Sequence, residues 1–274
     1  AFTFIGTLEP AVRAEYMPVL HDVGLDANML WPTTIINRSH VYLPVSLYGC
    51  PVAWTPKAVE AGHTVVEDLA QAHGHPLRGL AACFSFYPSK NLGAMGMAGA
   101  VVTNDKRLAD EVRGLRIHDE GERFKHRTFS GNYRMDEIQA AVLLAKLPYL
   151  KGWNDRRREI ALFYNDALAK LEPEVLRPID HPEHVYHIYA LRTRQRDALA
   201  AFLAERGVQT SVRYPIPLHL QPALASYTYK LGDFPHAEAW ANTTLSLPIH
   251  PEMTQAQIEY VATQVLAFFE DLHG

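Results

Sequence analysis

Two residues of opposite charge stand at the ends of two apolar runs. Thr64-Val65-Val66 leads into Glu67 and Asp68. Ala82-Cys83-Phe84-Ser85-Phe86-Tyr87 leads, three residues on, to Lys90. A carboxylate and an amine so placed suit a planar, cationic aromatic ring that carries an aldehyde. The carboxylate would keep a ring nitrogen protonated and so make the ring an electron sink. A desolvated lysine would form an imine with the aldehyde and then carry protons. Each residue has a plainer reading: Asp68 as a strand end or helix cap, Lys90 as a solvated surface lysine. The pair says more than either member. Ser85 offers a hydroxyl to a phosphate, or is a satisfied strand hydroxyl. Gln71 follows Asp68 at a spacing that could start a helix, and its amide could bond a phenolic oxygen.

Other motifs nearby point elsewhere and are set aside. His73-Gly74-His75 has the spacing of a metal-binding pair, but no HExxH and no clustered Cys or Asp ligands accompany it, so no metal is expected. Gly93, Gly96 and Gly99 run GxxGxxG into the strand-like Ala100–Thr103. A dinucleotide-binding fingerprint runs GxGxxG into a helix, so that reading is rejected in favour of a glycine-rich loop or hairpin beside a site. Cys50 and Cys83 lie apart without CxxC spacing, and Cys83, inside an apolar run, reads as a small core residue.

The elements that must position these residues alternate. Phe2 and Phe4 around Thr3 look like the end of a strand. Pro18–Asp22 and Val41–Val45 are further short strand candidates, with a short helix at Lys57–Ala61 before Thr64. Asp105 caps a helix carrying Leu108, Val112 and Leu115. The polar, mixed-charge stretch His118–Arg127 reads as a loop. Met135, Ile138, Val142 and Ala145 share one face of the next helix, which ends near Pro148. Trp153–Lys170 is another helix, whose charge run Asp155–Glu159 reads as a solvated face. Glu172–Pro182 reads as a linker. Val185–Arg192 follows as a strand, and Asp197–Arg206 as a helix with Leu199, Phe202 and Leu203 inward. Arg213–His219 is proline-stiffened and irregular. The last helix opens on a capping box, Thr254 to Gln257. Short β-runs alternating with helices imply an α/β fold with a mainly parallel sheet.

Bulk properties agree with a large domain plus a smaller one: 274 residues, 48% hydrophobic and 20% charged. The net charge of −4 is spread over both signs. Neither a nucleic-acid footprint nor a polybasic membrane patch is present, and no apolar run approaches the ~20 residues that span a bilayer. A cytoplasmic enzyme is the expectation.

The blocks VVEDLAQAHG (65–74), ACFSFYPSKNLG (82–93), AVVTND (100–105), GNYRMDEIQAAVLLAKLPYL (131–150), YPIPLHLQP (214–222) and LSLPIHPEMT (245–254) resemble the DegT/StrS family of pyridoxal-phosphate-dependent sugar aminotransferases. They keep the family's order and cover nearly the whole chain. The resemblance implies fold type I, with residues 1–150 as the large cofactor-binding domain and 151–274 as a small α+β C-terminal domain. It implies that Lys90 binds the cofactor aldehyde and moves protons, and that Asp68 partners the pyridine nitrogen. Gln71 lies near the ring, Ser85 is a phosphate ligand, and Phe4 stacks on the ring. Asn132 reaches the phosphate of the neighbouring subunit's cofactor, which implies a homodimer. Tyr214 and His219 border the sugar site. The implied substrates are a nucleotide-linked keto-deoxysugar and an amino-acid donor, glutamate.

Departures from the family pattern are also visible. The family's phosphate-cradling turn, a helix N-terminus, belongs to a stretch that would precede Ala1. Met97 and Ala98 stand where the family carries an acidic residue and a glycine. Val45-Ser46-Leu47-Tyr48-Gly49 replaces Val-His-Leu-Tyr-Gly. The Leu30–Val45 and Cys50–Thr64 segments read as shorter than usual. Two rival readings keep the fold: a sugar dehydratase, which Lys90 opposes, and a non-catalytic partner subunit.

Overall fold

A four-stranded sheet in the order β1-β2-β3-β4 carries the residues singled out above. Its strands are β1 (Val41–Tyr42), β2 (Thr64–Asp68), β3 (Ala81–Ser85) and β4 (Gly99–Val102). The structure, a computed structural model, describes residues 1–24 and 41–273. The Leu30–Val45 segment therefore lies partly outside the described residues. β1, β2 and β3 are parallel, and β4 returns antiparallel along β3 with Ser85 opposite Gly99. In β2 burial alternates, Val65 and Glu67 facing inward, as period-2 side chains require. The buried Glu67 carboxylate accepts from the backbone N–H of Arg78 (2.7 Å) and Gly79 (2.8 Å).

The helices are α1 (Glu9–Arg13), α2 (Thr55–Glu60), α3 (Lys106–Leu115), α4 (Glu137–Lys146), α5 (Leu150–Ala167), α6 (Arg196–Glu205), α7 (Pro235–Thr243) and α8 (Gln255–His273). Asp105 caps α3 by accepting from Leu108 N at 3.0 Å. Thr254 and Gln257 bond each other's backbone at the start of α8. β7 (Tyr189–Arg192) and β8 (Thr244–Leu247) pair antiparallel, and Glu172–Pro182 is packed on them and is not a free linker: Val175 is buried in the core and Leu176 bridges to Arg192.

Five expectations are corrected. Phe2–Phe4 is not a strand: Thr7 N bonds back to Phe4 O, closing a 3-10 turn at Ile5–Thr7 that leads into α1. Pro18–Asp22 is irregular, because its groups are spent elsewhere. Leu20 N donates to the Tyr229 hydroxyl, and the Asp22 carboxylate accepts from His236 N and Ala237 N at the start of α7. His118–Arg127 is a hairpin of β5 (Glu120–Glu122) and β6 (Lys125–His126). Polar on both faces, it carries no apolar alternation to reveal it. On α4 the buried residue is Leu143, while Ile138 and Ala145 are exposed. In the charge run of α5, Arg157 is buried, and Nη1 donates to the carbonyls of Tyr186, His187 and Ile249.

The main core joins α5, α6, β7, β8 and α8 through Ile160, Tyr164, Leu199, Leu203, Leu245 and Val265. A second cluster brings Phe2, Leu47 and Tyr48 against Ile188 and Trp240. The start of the chain and the Tyr48 loop are thus packed on the C-terminal half.

Candidate active site

Asp68 closes β2 in a fully bonded backbone. Its N–H donates to Pro44 O (2.9 Å) and its carbonyl accepts from Ser46 N (3.0 Å), because Val45 bridges to it in parallel. The side chain is aimed by two donors. Thr7 Oγ1 donates to Oδ2 at 2.6 Å and Ala70 N to Oδ1 at 3.0 Å. Thr7 was not legible as a site residue: 61 positions separate it from Asp68.

Lys90 sits on the loop between β3 and β4. Asp68 and Cys83 are register partners, so the loop leaves the sheet at the end where Asp68 sits. Phe86 N bonds Ala98 O, Ala94 N bonds Phe86 O, and Lys90 N bonds Tyr87 O. The loop doubles back so tightly that a Cβ on Gly93 would lie 2.3 Å from Pro88 O, which only glycine avoids. Three influences act on the half-buried Lys90 amine. Burial lowers its pKa, Asp68 raises it, and Arg213 lowers it. Burial is the largest, and the net direction is down. The amine is a readier base than a surface lysine.

Gln71 is buried, and both ends of its amide are engaged. Tyr48 N donates to Oε1 at 2.6 Å, and Nε2 donates to the Tyr214 hydroxyl at 2.8 Å. The phenolic oxygen it bonds here is a tyrosine's. Tyr48 and Tyr214 stack at 6.4 Å. Tyr48 and Tyr214 both have left-handed backbones, φ 58° and 56°, a conformation that costs energy for bulky residues and collects at functional sites. The network thus ties the sheet end that carries Asp68 to Tyr214, 143 residues from Gln71.

The remaining predicted residues are placed as follows. Phe4 is 61% exposed, an apolar ring left open to a planar partner. Ser85 closes β3, and its hydroxyl meets Tyr87 N at a long 3.4 Å. Asn132 is exposed and accepts from Arg134 Nε at 3.0 Å. His219 is not open to a solvent-borne ligand. Its ring is buried against Phe234 and bonds Glu238 at 2.9 Å. Cys83 is exposed and not a core residue: along β3, burial is confined to Ala81 and Ala82 at the start of the strand. Each member of the His73/His75 pair is tied through Nε2 to a different carbonyl, Ser85 O (2.8 Å) and Glu183 O (2.7 Å). Burial lowers the pKa of His73 to about 4.

The dTDP-3-amino-3,4,6-trideoxy-alpha-D-glucose transaminase of Streptomyces venezuelae is 42% identical over 241 residues, which are 84% of this chain and 63% of that protein. The crystal structure of DesV from S. venezuelae superposes with a TM-score of 0.89 at 36% identity, covering 97% of this chain and 76% of that one. NtdA of Bacillus subtilis, solved with bound cofactor PMP, superposes with a TM-score of 0.87 at 27% identity, covering 97% of this chain and 66% of that one. The chain thus spans between 63% and 76% of the length of these relatives. Residues 1–266 match the family model described as the DegT/DnrJ/EryC1/StrS aminotransferase family, and the chain belongs to that family.

Proposed function

We propose that this chain is a pyridoxal-phosphate-dependent aminotransferase that moves an amino group from glutamate to a nucleotide-linked keto-deoxysugar. The observation that carries the reading is the convergence of Asp68 and Lys90 at one end of adjacent parallel strands, with the lysine pKa lowered by burial so that more of the amine is unprotonated. The donor set fits the cofactor: an oriented carboxylate, a desolvated amine, an open aromatic ring and a weakly engaged hydroxyl. When bound, pyridoxal phosphate supplies an aldehyde that exchanges amino groups and a cationic ring that draws off electron density.

The protein's residues divide the remaining tasks. Asp68, held by Thr7 and Ala70, keeps a negative charge against the ring nitrogen. Lys90 holds the aldehyde, then takes and returns a proton at Nζ. Phe4 covers one face of the ring, and Ser85 donates to the phosphate. Gln71 acts through its amide on the Tyr214 hydroxyl, which faces the sugar side. His219 fixes that segment from behind, through Glu238. We read residues 1–150 as the cofactor-holding unit and 151–274 as the smaller unit.

We also infer a homodimer in which Asn132 reaches the phosphate held by a second copy. Exposed Phe129, Tyr133, Ile138, Leu144 and Leu147 around α4 support it, since monomers rarely leave so much apolar surface open. A cytoplasmic location goes with this reading. Among the described residues no helix is long and apolar enough to cross a membrane.

The test is an absorbance titration with pyridoxal phosphate, followed by glutamate. The wild type gains a visible band that glutamate bleaches, and Lys90→Ala gains none. Identical spectra for both proteins would overturn the proposal.

A further inference from the structure

Lys90 is followed by Asn91, and Asn91 is buried in a chain of hydrogen bonds that has only one consistent arrangement. Asn91 Nδ2 donates to Val185 O at 3.0 Å and to Asn154 Oδ1 at 2.8 Å. Asn154 Nδ2 donates to His73 O at 2.7 Å. The two main-chain carbonyls can only accept, so they fix which way both amides face. Asn91 Oδ1 is then the atom left for His187, whose Nδ1 lies 3.1 Å away. An amide oxygen only accepts, so His187 Nδ1 must carry the hydrogen. On the far side of the chain, His73 donates Nε2–H to Ser85 O.

We propose that Asn91, aimed by Asn154 and the Val185 carbonyl, is a positioning residue that holds His187 with its hydrogen on Nδ1. Burial disfavours a charged ring, so the tautomer that Asn91 selects leaves the lone pair at Nε2. Asn91 does this from the residue next to Lys90, so one side chain fixes both the lysine loop and the state of the ring near it. The charges around His187 act in the same sense. Burial is the largest effect, and Lys90, Arg157, His73 and Arg213 follow; all oppose a charged ring. Lys90 in turn feels Asp68 and Arg213. A charged His187 would add a further cation to that set and lower the lysine pKa again. Gly74 makes room for the arrangement: its φ is +105°, and a Cβ there would lie 3.0 Å from Asn154 Nδ2.

The proposal rests on the reading of Lys90 given above, and its test has two arms. The first needs no cofactor. Histidine-15N-labelled full-length chain is followed by NMR, with His187 assigned through His187→Gln. The wild-type ring keeps Nδ1–H and a bare Nε2 between about pH 6 and 8. Asn91→Leu loses that pattern, and the ring exchanges between tautomers. Asn154→Ala, a milder change, weakens the same pattern. An Nε2–H tautomer in the wild type would overturn the lock, as would an unchanged ring in both variants. The second arm follows the visible band formed with pyridoxal phosphate against pH. Asn91→Leu shifts the midpoint of that profile from the wild-type position, because the ring and the lysine loop are no longer held to each other. A variant band that titrates as in the wild type would overturn the link to Lys90. A locked His187 in a chain that forms no band at all counts against the earlier reading of Lys90 and supports the lock itself.

Discussion

After Leu150 the apolar side chains of α5, α6, β7, β8 and α8 meet in one buried cluster. Before it, the β1–β4 sheet is served by three small ones, around Trp54, Leu143 and Leu69. The same N-terminal half leaves Met95, Met97, Phe129 and Ile138 between 73% and 104% exposed. The half that carries Asp68 and Lys90 is therefore the less self-sufficient one. It is joined to the other half by one shared apolar cluster, Phe2, Leu47 and Tyr48 against Ile188 and Trp240, and by specific polar ties: Asn91 to Val185, His75 to Glu183 and Gln71 to Tyr214. The proposed chemistry falls on the half whose apolar faces are unfinished, and the larger closed core lies in the other half.

Three experiments press on that contrast, taken from the largest expected effect down. Leu199→Ala opens a cavity in the fully buried C-terminal cluster. It should cost about 2–5 kcal/mol in urea unfolding, as buried leucines do. A loss under about 1 kcal/mol would mean that the cluster is not the stable half.

Acid comes next. Burial holds His73 down to about 4 and His184 down to about 3, and it lowers His75 and His187 as well. A folded-state pKa below the unfolded value means that the unfolded chain binds more protons. Stability from these groups is therefore complete above about pH 6.5 and falls as pH drops toward 4 for His73 and 3 for His184. The slope is about 1.4 kcal/mol per pH unit for each such histidine. Urea midpoints at pH 7 and pH 5 should differ in that sense, and a flat profile would contradict it. His75 and His187 tie the halves together and His73 feels Lys90, so the acid effect bears on the joint between the halves, with His184 adding to it from within the C-terminal half.

The smallest effect on folding is expected at the exposed α4 face. Ile138→Ser should leave unfolding within about 0.5 kcal/mol, since surface changes do little, yet weaken self-association in sedimentation. An unchanged association constant would remove the α4 face from the subunit interface.

Much of the sheet end was legible because its signals are local. Asp68 and Lys90 follow apolar runs that became β2 and β3, and the capping residues Asp105 and Thr254 act within three residues of themselves. What was not legible depends on distance in the chain. Thr7 meets Asp68, and Asn91 meets His187, across 61 and 96 positions, and no periodicity reports such contacts. Arg157 hid within a charge run because its burial is offset by three carbonyls from other segments. β5 and β6 hid because a hairpin exposed on both faces carries no hydrophobic pattern. Ile138 misled for a related reason: an apolar face seeks a partner, but the pattern does not say whether that partner is in the same chain.

The central claim is that Lys90, on the unfinished half, is the amine that takes the cofactor. The most direct measurement is borohydride reduction of the chain mixed with pyridoxal phosphate, followed by peptide mass mapping. The expected product is a single pyridoxyl-phosphate adduct, on the peptide containing Lys90. An adduct on any other lysine with Lys90 unmodified, or no adduct at all, would contradict it.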